Sequence, residues 1–187
     1  MYDIKALYEA ENVQDAIRLL TEHPQAQIIA GGSDVLVQIR EGKRAGVELV
    51  SIYGLDELRG VSLEEDETLR IGSLTSFSHI TKNELIQKYI PVLGEAVDMV
   101  GGPQIRNIGT IGGNTCNGVT SADSASTLFA LDAIIELTGP EGIRRLPIRE
   151  FYIKAGKVDI RQGELQTGIL IPKQSYQGYR GHYIKYA

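Results

Sequence analysis

The chain has 187 residues, of which 42% are hydrophobic and 23% charged, and 24 acidic against 19 basic residues give a net charge of −5. This composition is typical of a globular chain with its own core and excludes a disordered one. Because the balance is mildly acidic and no basic block occurs, nucleic acid and anionic membranes are poor candidates as partners.

The chain contains only one cysteine, Cys116, and three scattered histidines. A disulfide framework, an iron–sulfur cluster or an all-thiolate zinc site needs several thiolates, so all three are excluded within this chain, and we expect no metal site. No stretch reaches the ~20 apolar residues of a membrane helix. The acidic, polar N-terminus is not typical of a signal peptide. We therefore expect a cytoplasmic protein without a membrane anchor.

The first predicted elements, taken in chain order, form a small βαβ unit. Asn12 is a suitable N-cap for a helix whose apolar residues lie between 13 and 20. A short strand at 27–30 follows, then a glycine turn, a second helix, and a strand at 47–52. This order predicts parallel strands with a right-handed crossover.

Beyond Gly54 the pattern changes to antiparallel hairpins and helices. We predict an α+β fold with a small N-terminal lobe, residues 1–54, and a larger lobe, residues 55–187. The stretch 104–119 has no lasting period and is predicted to be irregular. The predicted strands of the larger lobe are 61–64, 68–74, 133–138, 143–148, 164–171 and 183–186, and its helices follow Ser76, begin near Pro91 and span 124–131.

Glycine is the unusual component, with 21 residues in 187. The first glycine segment, residues 29–36, leaves a strand and opens a helix. The first amides of a helix have no internal partner, and the helix dipole favours an anion there, so a phosphate is the natural ligand. The sequence is neither a Rossmann fingerprint nor a P-loop. A tight turn with Ser33 or Asp34 as N-cap explains this segment equally well.

The second glycine segment, residues 106–118, is dense in glycine, asparagine and threonine and runs on to Asp123. If buried, such a segment leaves polar groups unpaired, and a polar ligand removes that cost. A solvated surface loop is the alternative. Two such segments in one chain suggest the two ends of a long ligand such as a dinucleotide. Cys116 is interpreted as a small side chain of this segment, and Arg44 with its basic neighbours as surface.

Three stretches together resemble the FAD-binding subunit or domain of molybdenum hydroxylases such as xanthine dehydrogenase. They are IAGGSDVLV at 29–37, PQIRNIGTIGGNTCNGVTSAD at 103–123 and LFALDA at 128–133. The resemblance spans the chain and implies a two-lobed FAD-binding fold of the PCMH type. Family members usually continue for about another hundred residues, so we expect their C-terminal domain to be absent here.

The resemblance also implies how FAD is held. Residues 30–34 would wrap the pyrophosphate from one side and residues 110–114 from the other. Asn117 and Asp123 would hold the ribose or ribityl side, and Lys185 would lie near the flavin. Gln166 falls where relatives contact adenine, but that position is usually apolar, so it is left out. The implied binding residues are Ile29, Ala30, Gly31, Gly32, Ser33, Asp34, Val35, Ile105, Thr110, Ile111, Gly112, Gly113, Asn114, Cys116, Asn117, Ala122, Asp123 and Lys185.

In this family the flavin, bound noncovalently, is an electron exit. The resemblance implies partner subunits that carry molybdopterin and [2Fe–2S] clusters, with NAD+ or another acceptor receiving the electrons. The chain itself would carry no catalytic residue and be inactive without partners. Two alternatives stay open: a truncated, non-catalytic flavoprotein core or assembly scaffold, and a stand-alone flavin oxidoreductase.

Overall fold

The computed structural model describes residues 2–186. Its first part is a three-stranded sheet with the strand order β1-β3-β2, in which β3 pairs in parallel with both neighbours. The expected parallel pairing of the strands at 27–30 and 47–52 is therefore confirmed. The elements of this part are β1 (Ile4–Glu9), α1 (Val13–Glu22), β2 (Gln27–Ile29), α2 (Val35–Arg40) and β3 (Val47–Ser51).

The sequence pattern gave no sign of strand β1. Ala6 and Tyr8 are half-buried, but the apolar Leu7 lies between them on the other face and is 55% exposed, so apolar and polar residues do not alternate cleanly in the sequence. Helix α1 follows expectation, because Asn12 accepts a hydrogen bond from the amide of Asp15 and the helix buries Ala16 and Leu20.

The second part is a five-stranded antiparallel sheet with the strand order β4-β5-β10-β6-β7. The α+β class is thus confirmed, and a boundary near residue 54 stays a prediction. The five strands are β4 (Val61–Leu63), β5 (Leu69–Gly72), β6 (Ile134–Gly139), β7 (Gly142–Pro147) and β10 (Leu165–Ile171), and β8 (Tyr152–Lys154) and β9 (Lys157–Val158) form a separate two-stranded sheet. The helices are α3 (Phe77–Lys82), α4 (Glu84–Tyr89), α5 (Pro91–Asp98), α6 (Pro103–Ile108), α7 (Ile111–Cys116), α8 (Asp123–Ala130), α9 (Ile148–Phe151) and α10 (Lys173–Tyr176).

The main core lies between this sheet and its helices. Ile169 stands between Ile71 and Ile135 in the register of three adjacent strands, and all three are fully buried. Leu93 of α5 and Leu128 of α8 belong to the same apolar cluster. Burying such side chains stabilises the fold by about 1.5–3 kcal/mol each. No helix within residues 2–186 is both long and apolar enough to cross a bilayer.

Two predictions in the larger lobe are wrong. Residues 104–119 are not irregular, because Pro103 starts helix α6 and the side chain of Thr110 caps helix α7. Helix α7 contains two glycines, which are poor helix formers, and helix α6 has only six residues and buries none of them, so neither shows a clear helical pattern in the sequence. Residues 183–186 form no strand and are irregular. Instead of pairing with a strand, Tyr183 donates hydrogen bonds to Glu95 of α5 and Asp123 of α8.

Candidate functional site: a cavity between two glycine segments

The two glycine segments touch each other. A Cβ atom on Gly31 would lie 1.7 Å from the carbonyl oxygen of Ile108, so only glycine allows this approach of the two backbones. Gly32, the next residue, has a φ of +72°, in the left-handed region that favours glycine. The fold therefore brings together two segments that lie about eighty residues apart in the sequence.

The first glycine segment presents unpaired amides. Helix α2 makes its first internal bond from the amide of Leu36 to the carbonyl of Gly32, at 3.1 Å. Asp34 occupies the N-cap position, but its side chain makes no capping bond. Within the part of the chain that the structure describes, the amides of the five residues 31–35 donate to no protein acceptor. Five consecutive donors at a helix start favour an anionic ligand.

In the second glycine segment, the backbone amides of residues 111–113 are bonded within the protein, although the sequence suggested polar groups that a ligand would satisfy. The amides of Ile111 and Gly112 donate to the carbonyls of Thr75 and Ser73 at 3.1 and 2.8 Å, and the amide of Gly113 donates to Oγ1 of Thr110 at 3.2 Å. A Cβ on Gly112 would lie 2.6 Å from the Cβ of Ser73. This glycine therefore serves close packing of α7 on the strand end, and its amide is not available to a ligand.

A cavity of about 480 Å³ lies where the two segments meet. Its wall continues with residues 160–166 and with apolar side chains such as Ile52 and Leu74. Thirteen of the expected binding residues line it: Ala30, Gly31, Gly32, Ser33, Asp34, Val35, Ile105, Thr110, Gly112, Gly113, Asn114, Cys116 and Asn117.

The other five expected residues lie outside the cavity wall: Ile29, Ile111, Ala122, Asp123 and Lys185. Ile111 is fully buried in the main core. Asp123 and Lys185 are brought together, with Nζ of Lys185 2.9 Å from the Asp123 carboxylate. The hydroxyl of Tyr183 also donates to Asp123, at 2.8 Å. Burial raises the pKa of Tyr183 to about 12, and the hydrogen bond to Asp123 is a smaller cause of the same shift.

Asp123 is linked to the cavity through its neighbour in the chain. The hydroxyl of Ser124 donates to Oδ1 of Asn114, which lines the cavity, at 2.5 Å. The predicted flavin lysine and its aspartate partner therefore lie just beyond the second glycine segment, on the side where residues 182–185 cross α5 and α8.

Polar side chains close the cavity at the end of strand β10. Oε1 of Gln166 accepts hydrogen bonds from the Thr115 hydroxyl and the Cys116 thiol, both at 2.9 Å. Burial raises the pKa of the Cys116 thiol to about 12, so the thiol is neutral at pH 7. Among the described residues, Nε2 of Gln166 and Oγ of Ser73 are buried without any hydrogen-bond partner.

Arg44 is exposed, as interpreted from the sequence, and it also lines the cavity. Its Nε and Nη1 donate to the side-chain oxygens of Gln38 and Gln27 at 2.5 and 2.6 Å. No carboxylate pairs with it within the described part of the chain. Gln38 also bonds to Asp34, which places the guanidinium one side chain away from the unpaired amides. No motif in the sequence signals this role, because the contacts to Gln38 and Gln27 depend on how helix α2 and strand β2 pack.

Residues 2–186 contain no cluster of three or more histidine, cysteine or carboxylate side chains that would hold a metal ion. The set of donors is instead unpaired amides, the guanidinium groups of Arg44 and Arg161, and neutral polar side chains beside apolar walls. These groups fit a ligand with both phosphates and planar rings.

Residues 2–174 match the model of the FAD-binding domain in molybdopterin dehydrogenase. The chain belongs to this family. The resemblance noted in the sequence is thereby confirmed, and FAD is the cofactor for which the family is described.

Known proteins agree with this family assignment. The chain is 41% identical over 187 residues to the xanthine dehydrogenase FAD-binding subunit of Escherichia coli O157:H7, covering 100% of this chain and 64% of the relative. It is 32% identical over 166 residues to the carbon monoxide dehydrogenase medium chain of Afipia carboxidovorans, covering 88% and 57%. This chain thus spans less than two thirds of the length of these relatives.

A solved structure shows the same fold. Carbon monoxide dehydrogenase from Hydrogenophaga pseudoflava superposes with a TM-score of 0.88 at 28% identity, covering 92% of this chain and 60% of that one. The family fold therefore extends over nearly all of the chain described here, in agreement with the expected α+β architecture.

Proposed function

We propose that this chain binds FAD noncovalently in the cavity between its two glycine segments, as the FAD-binding part of a xanthine-dehydrogenase-like molybdenum hydroxylase. The observation that carries the proposal is the row of unpaired amides at residues 31–35, which faces a cavity in a chain of an FAD-binding family. When bound, FAD supplies the change between one-electron and two-electron transfer.

In this proposal the two segments have different tasks. The amides of the first glycine segment donate to the diphosphate, and Arg44 adds the positive charge that the two phosphates require. The second glycine segment shapes the opposite wall through the Thr110, Asn114 and Asn117 side chains. Asp123 and Lys185, paired outside the wall, would lie beside the part of the ligand that leaves the cavity.

The partners follow from the names of the relatives. Xanthine dehydrogenase and carbon monoxide dehydrogenase subunits are among them, and the single Cys116 supplies too few thiolates for an iron–sulfur cluster. We therefore assign molybdopterin and [2Fe–2S] clusters to partner subunits in the cytoplasm, with NAD+ as a candidate acceptor. The lobes 1–54 and 55–187 are proposed as the two sides that enclose the ligand.

The test is a titration of the purified chain with FAD, followed by flavin fluorescence and melting temperature. We expect quenching of the flavin and a rise in Tm, because a ligand that binds only the folded state stabilises it. No uptake by the chain, alone or with its co-expressed partner subunits, would contradict the proposal. Uptake with turnover of a substrate by the chain alone would instead support a stand-alone oxidoreductase.

The matched variants are Gly32→Val and Gly42→Val. Both glycines have positive φ, at +72° and +76°, so valine strains both backbones similarly. Only Gly32 lies in the amide row, and a Cβ there would also lie 3.0 Å from Cδ1 of Leu36, whereas a Cβ on Gly42 meets nothing within 4 Å. We expect Gly32→Val to abolish FAD uptake with the larger loss of stability, and Gly42→Val to retain uptake.

A further inference from the structure

A second cleft, of about 520 Å³, shares no lining residue with the cavity between the glycine segments within residues 2–186. It lies where the residues that follow helix α10 pass helix α4 and the hairpin turn between β4 and β5. Three of its side chains are cationic, one is acidic and three are aromatic, although the chain as a whole is acidic. The wall consists of Glu67, Lys88, Tyr89, Lys173, Tyr176, Gln177, Gly178, Tyr179 and Arg180.

The floor of this cleft is fixed by contacts within the protein. Tyr176 is only 7% exposed, and its hydroxyl donates to the carbonyl of Glu67 at 2.5 Å. The centroid of the Tyr176 ring lies 5.5 Å from that of the Tyr89 ring. Nζ of Lys173 forms an ion pair with the Glu67 carboxylate, so these two charges neutralise each other. A ligand in the cleft therefore meets a preformed wall.

Two cations and one ring in the wall of the cleft are not used in this way. Among the described residues, Lys88 and Arg180 form no ion pair with a carboxylate. Nζ of Lys88 lies 4.8 Å from the centroid of the Tyr89 ring, a cation–π contact that keeps the ammonium group at the cleft. Tyr179 is 73% exposed, and its amide donates to the carbonyl of Tyr176 at 3.2 Å, which anchors the turn after α10.

These groups indicate the chemistry of a ligand. An exposed tyrosine ring stacks on planar rings, and both nucleobases and aromatic acids present such a face. Guanidinium and ammonium groups bind phosphate or carboxylate oxygens through charge-assisted hydrogen bonds. A metal cation does not suit the cleft, because the Glu67 carboxylate is already paired with Lys173. The cleft therefore suits an anion that also carries a planar ring.

We propose that this cleft is a second ligand site, which binds an anion with a planar ring. The ring stacks on Tyr179, and Lys88 and Arg180 hold the negatively charged group. A nucleotide with its phosphate and an aromatic acid with its carboxylate share this chemistry. The site is separate from the cavity between the glycine segments and does not depend on FAD binding there.

The experiment titrates the chain with etheno-AMP, a fluorescent mononucleotide, and follows fluorescence polarisation. We expect Tyr179→Ala and Arg180→Gln each to raise the Kd about tenfold, because one removes the stacking ring and the other a charge-assisted contact. Binding should also weaken as the salt concentration rises. Both residues are exposed, so Tm should not change in either variant.

Two matched variants control for indirect effects. Tyr179→Phe keeps the ring and should bind etheno-AMP as the unmodified chain does. Lys154→Gln removes an exposed cation that does not line the cleft, so it should leave the Kd unchanged. A loss of binding in Lys154→Gln equal to that in Arg180→Gln would show that only the overall charge matters, and this would overturn the proposal.

Competing anions distinguish the two sources of the ligand. AMP, benzoate and inorganic phosphate are each added to the chain with etheno-AMP bound. Displacement most readily by AMP supports a nucleotide, and displacement most readily by benzoate supports an aromatic acid. If inorganic phosphate displaces the probe as readily as AMP does, the ring contributes nothing and the proposal is overturned.

Arg44→Gln separates this site from the cavity between the glycine segments. Binding of etheno-AMP that depends on Arg44, and not on Tyr179 or Arg180, places the nucleotide in that cavity and overturns the second site. The absence of saturable binding also overturns it. FAD uptake is measured separately and should be unchanged in Tyr179→Ala, so the two proposals succeed or fail independently.

Discussion

The two glycine segments have the same kind of composition but use their backbones differently. Within residues 2–186, the amides of residues 31–35 have no protein acceptor, whereas the amides of Ile111, Gly112 and Gly113 are bonded to Thr75, Ser73 and Thr110. The first glycine segment leaves its amides free to donate to a ligand, whereas the amides of the second donate to protein oxygens and hold α7 against the sheet. A glycine-rich stretch beside a cavity is therefore not by itself a ligand-binding backbone.

The largest expected effect is on packing in the second glycine segment. Gly112→Ala places a Cβ 2.6 Å from the Cβ of Ser73 and 2.7 Å from its carbonyl oxygen, so we expect a loss of about 1–3 kcal/mol or more in the free energy of unfolding. Urea denaturation measures it. Gly54→Ala is the control, because its Cβ meets nothing within 4 Å. Equal stability of the two variants would show that α7 is not packed as described.

The ion pairs of Glu136 provide a contrast to the ligand-facing segment, because they stabilise the sheet and do not line the cavity. Glu136 is almost fully buried and accepts from Arg145 at 2.7 Å and from Arg70 at 2.9 Å. Burial alone would raise the pKa of Glu136, but the two arginines outweigh it and hold the pKa below its ordinary value. Glu136→Gln should lower stability at pH 7 by about 1–3 kcal/mol.

The pH dependence gives the sign of this contribution. A lowered folded-state pKa means that the stabilisation is complete above the ordinary glutamate pKa of about 4.3 and is lost as the pH falls through the lower folded value. The difference between the unmodified chain and Glu136→Gln should therefore vanish in acid. Glu141→Gln, at an exposed site 3.9 Å from Arg161, should match the unmodified chain at every pH. A difference that persists in acid contradicts the ion-pair assignment.

Arg44 tests the ligand-facing segment. Arg44→Gln removes the unpaired guanidinium of the cavity wall, so we expect about tenfold weaker FAD binding and a weaker salt dependence, with riboflavin binding unchanged because riboflavin has no phosphate. Fluorescence titration at two salt concentrations measures both. Lys43→Gln is the matched control, since Lys43 pairs with Glu41 and does not line the cavity. If Arg44→Gln weakened the binding of FAD and riboflavin equally, Arg44 would not act on the phosphates.

The smallest expected effect concerns Cys116. With a pKa raised by burial to about 12, its thiolate fraction at pH 8 is about 10⁻⁴. Alkylation by iodoacetamide, followed by mass spectrometry, should therefore be slow in the folded chain and fast in urea. Bound FAD should slow it further, because Cys116 lines the cavity. Rapid alkylation of the folded chain would contradict its burial.

Much of the fold was predictable where local signals are strong. The caps at Asn12 and Ser76 are confirmed, and the hairpins at 61–74 and 133–148 form as expected. The missed elements have weak local signals. Strand β1 and helix α7 are held by hydrogen bonds to residues distant in the chain, and helix α6 has only six residues and buries none of them. The strand predicted at 183–186 does not form.

The sequence by itself determined the family, the α+β class and the two segments that meet at the cavity, because their motifs are local and specific. Only the tertiary structure decided which amides stay unpaired, that Arg44 and Ser73 join the wall, and that Asp123 and Lys185 pair outside it. The reason is physical: whether a polar group is free or satisfied depends on acceptors supplied by residues far away in the chain, such as Ser73 for Gly112.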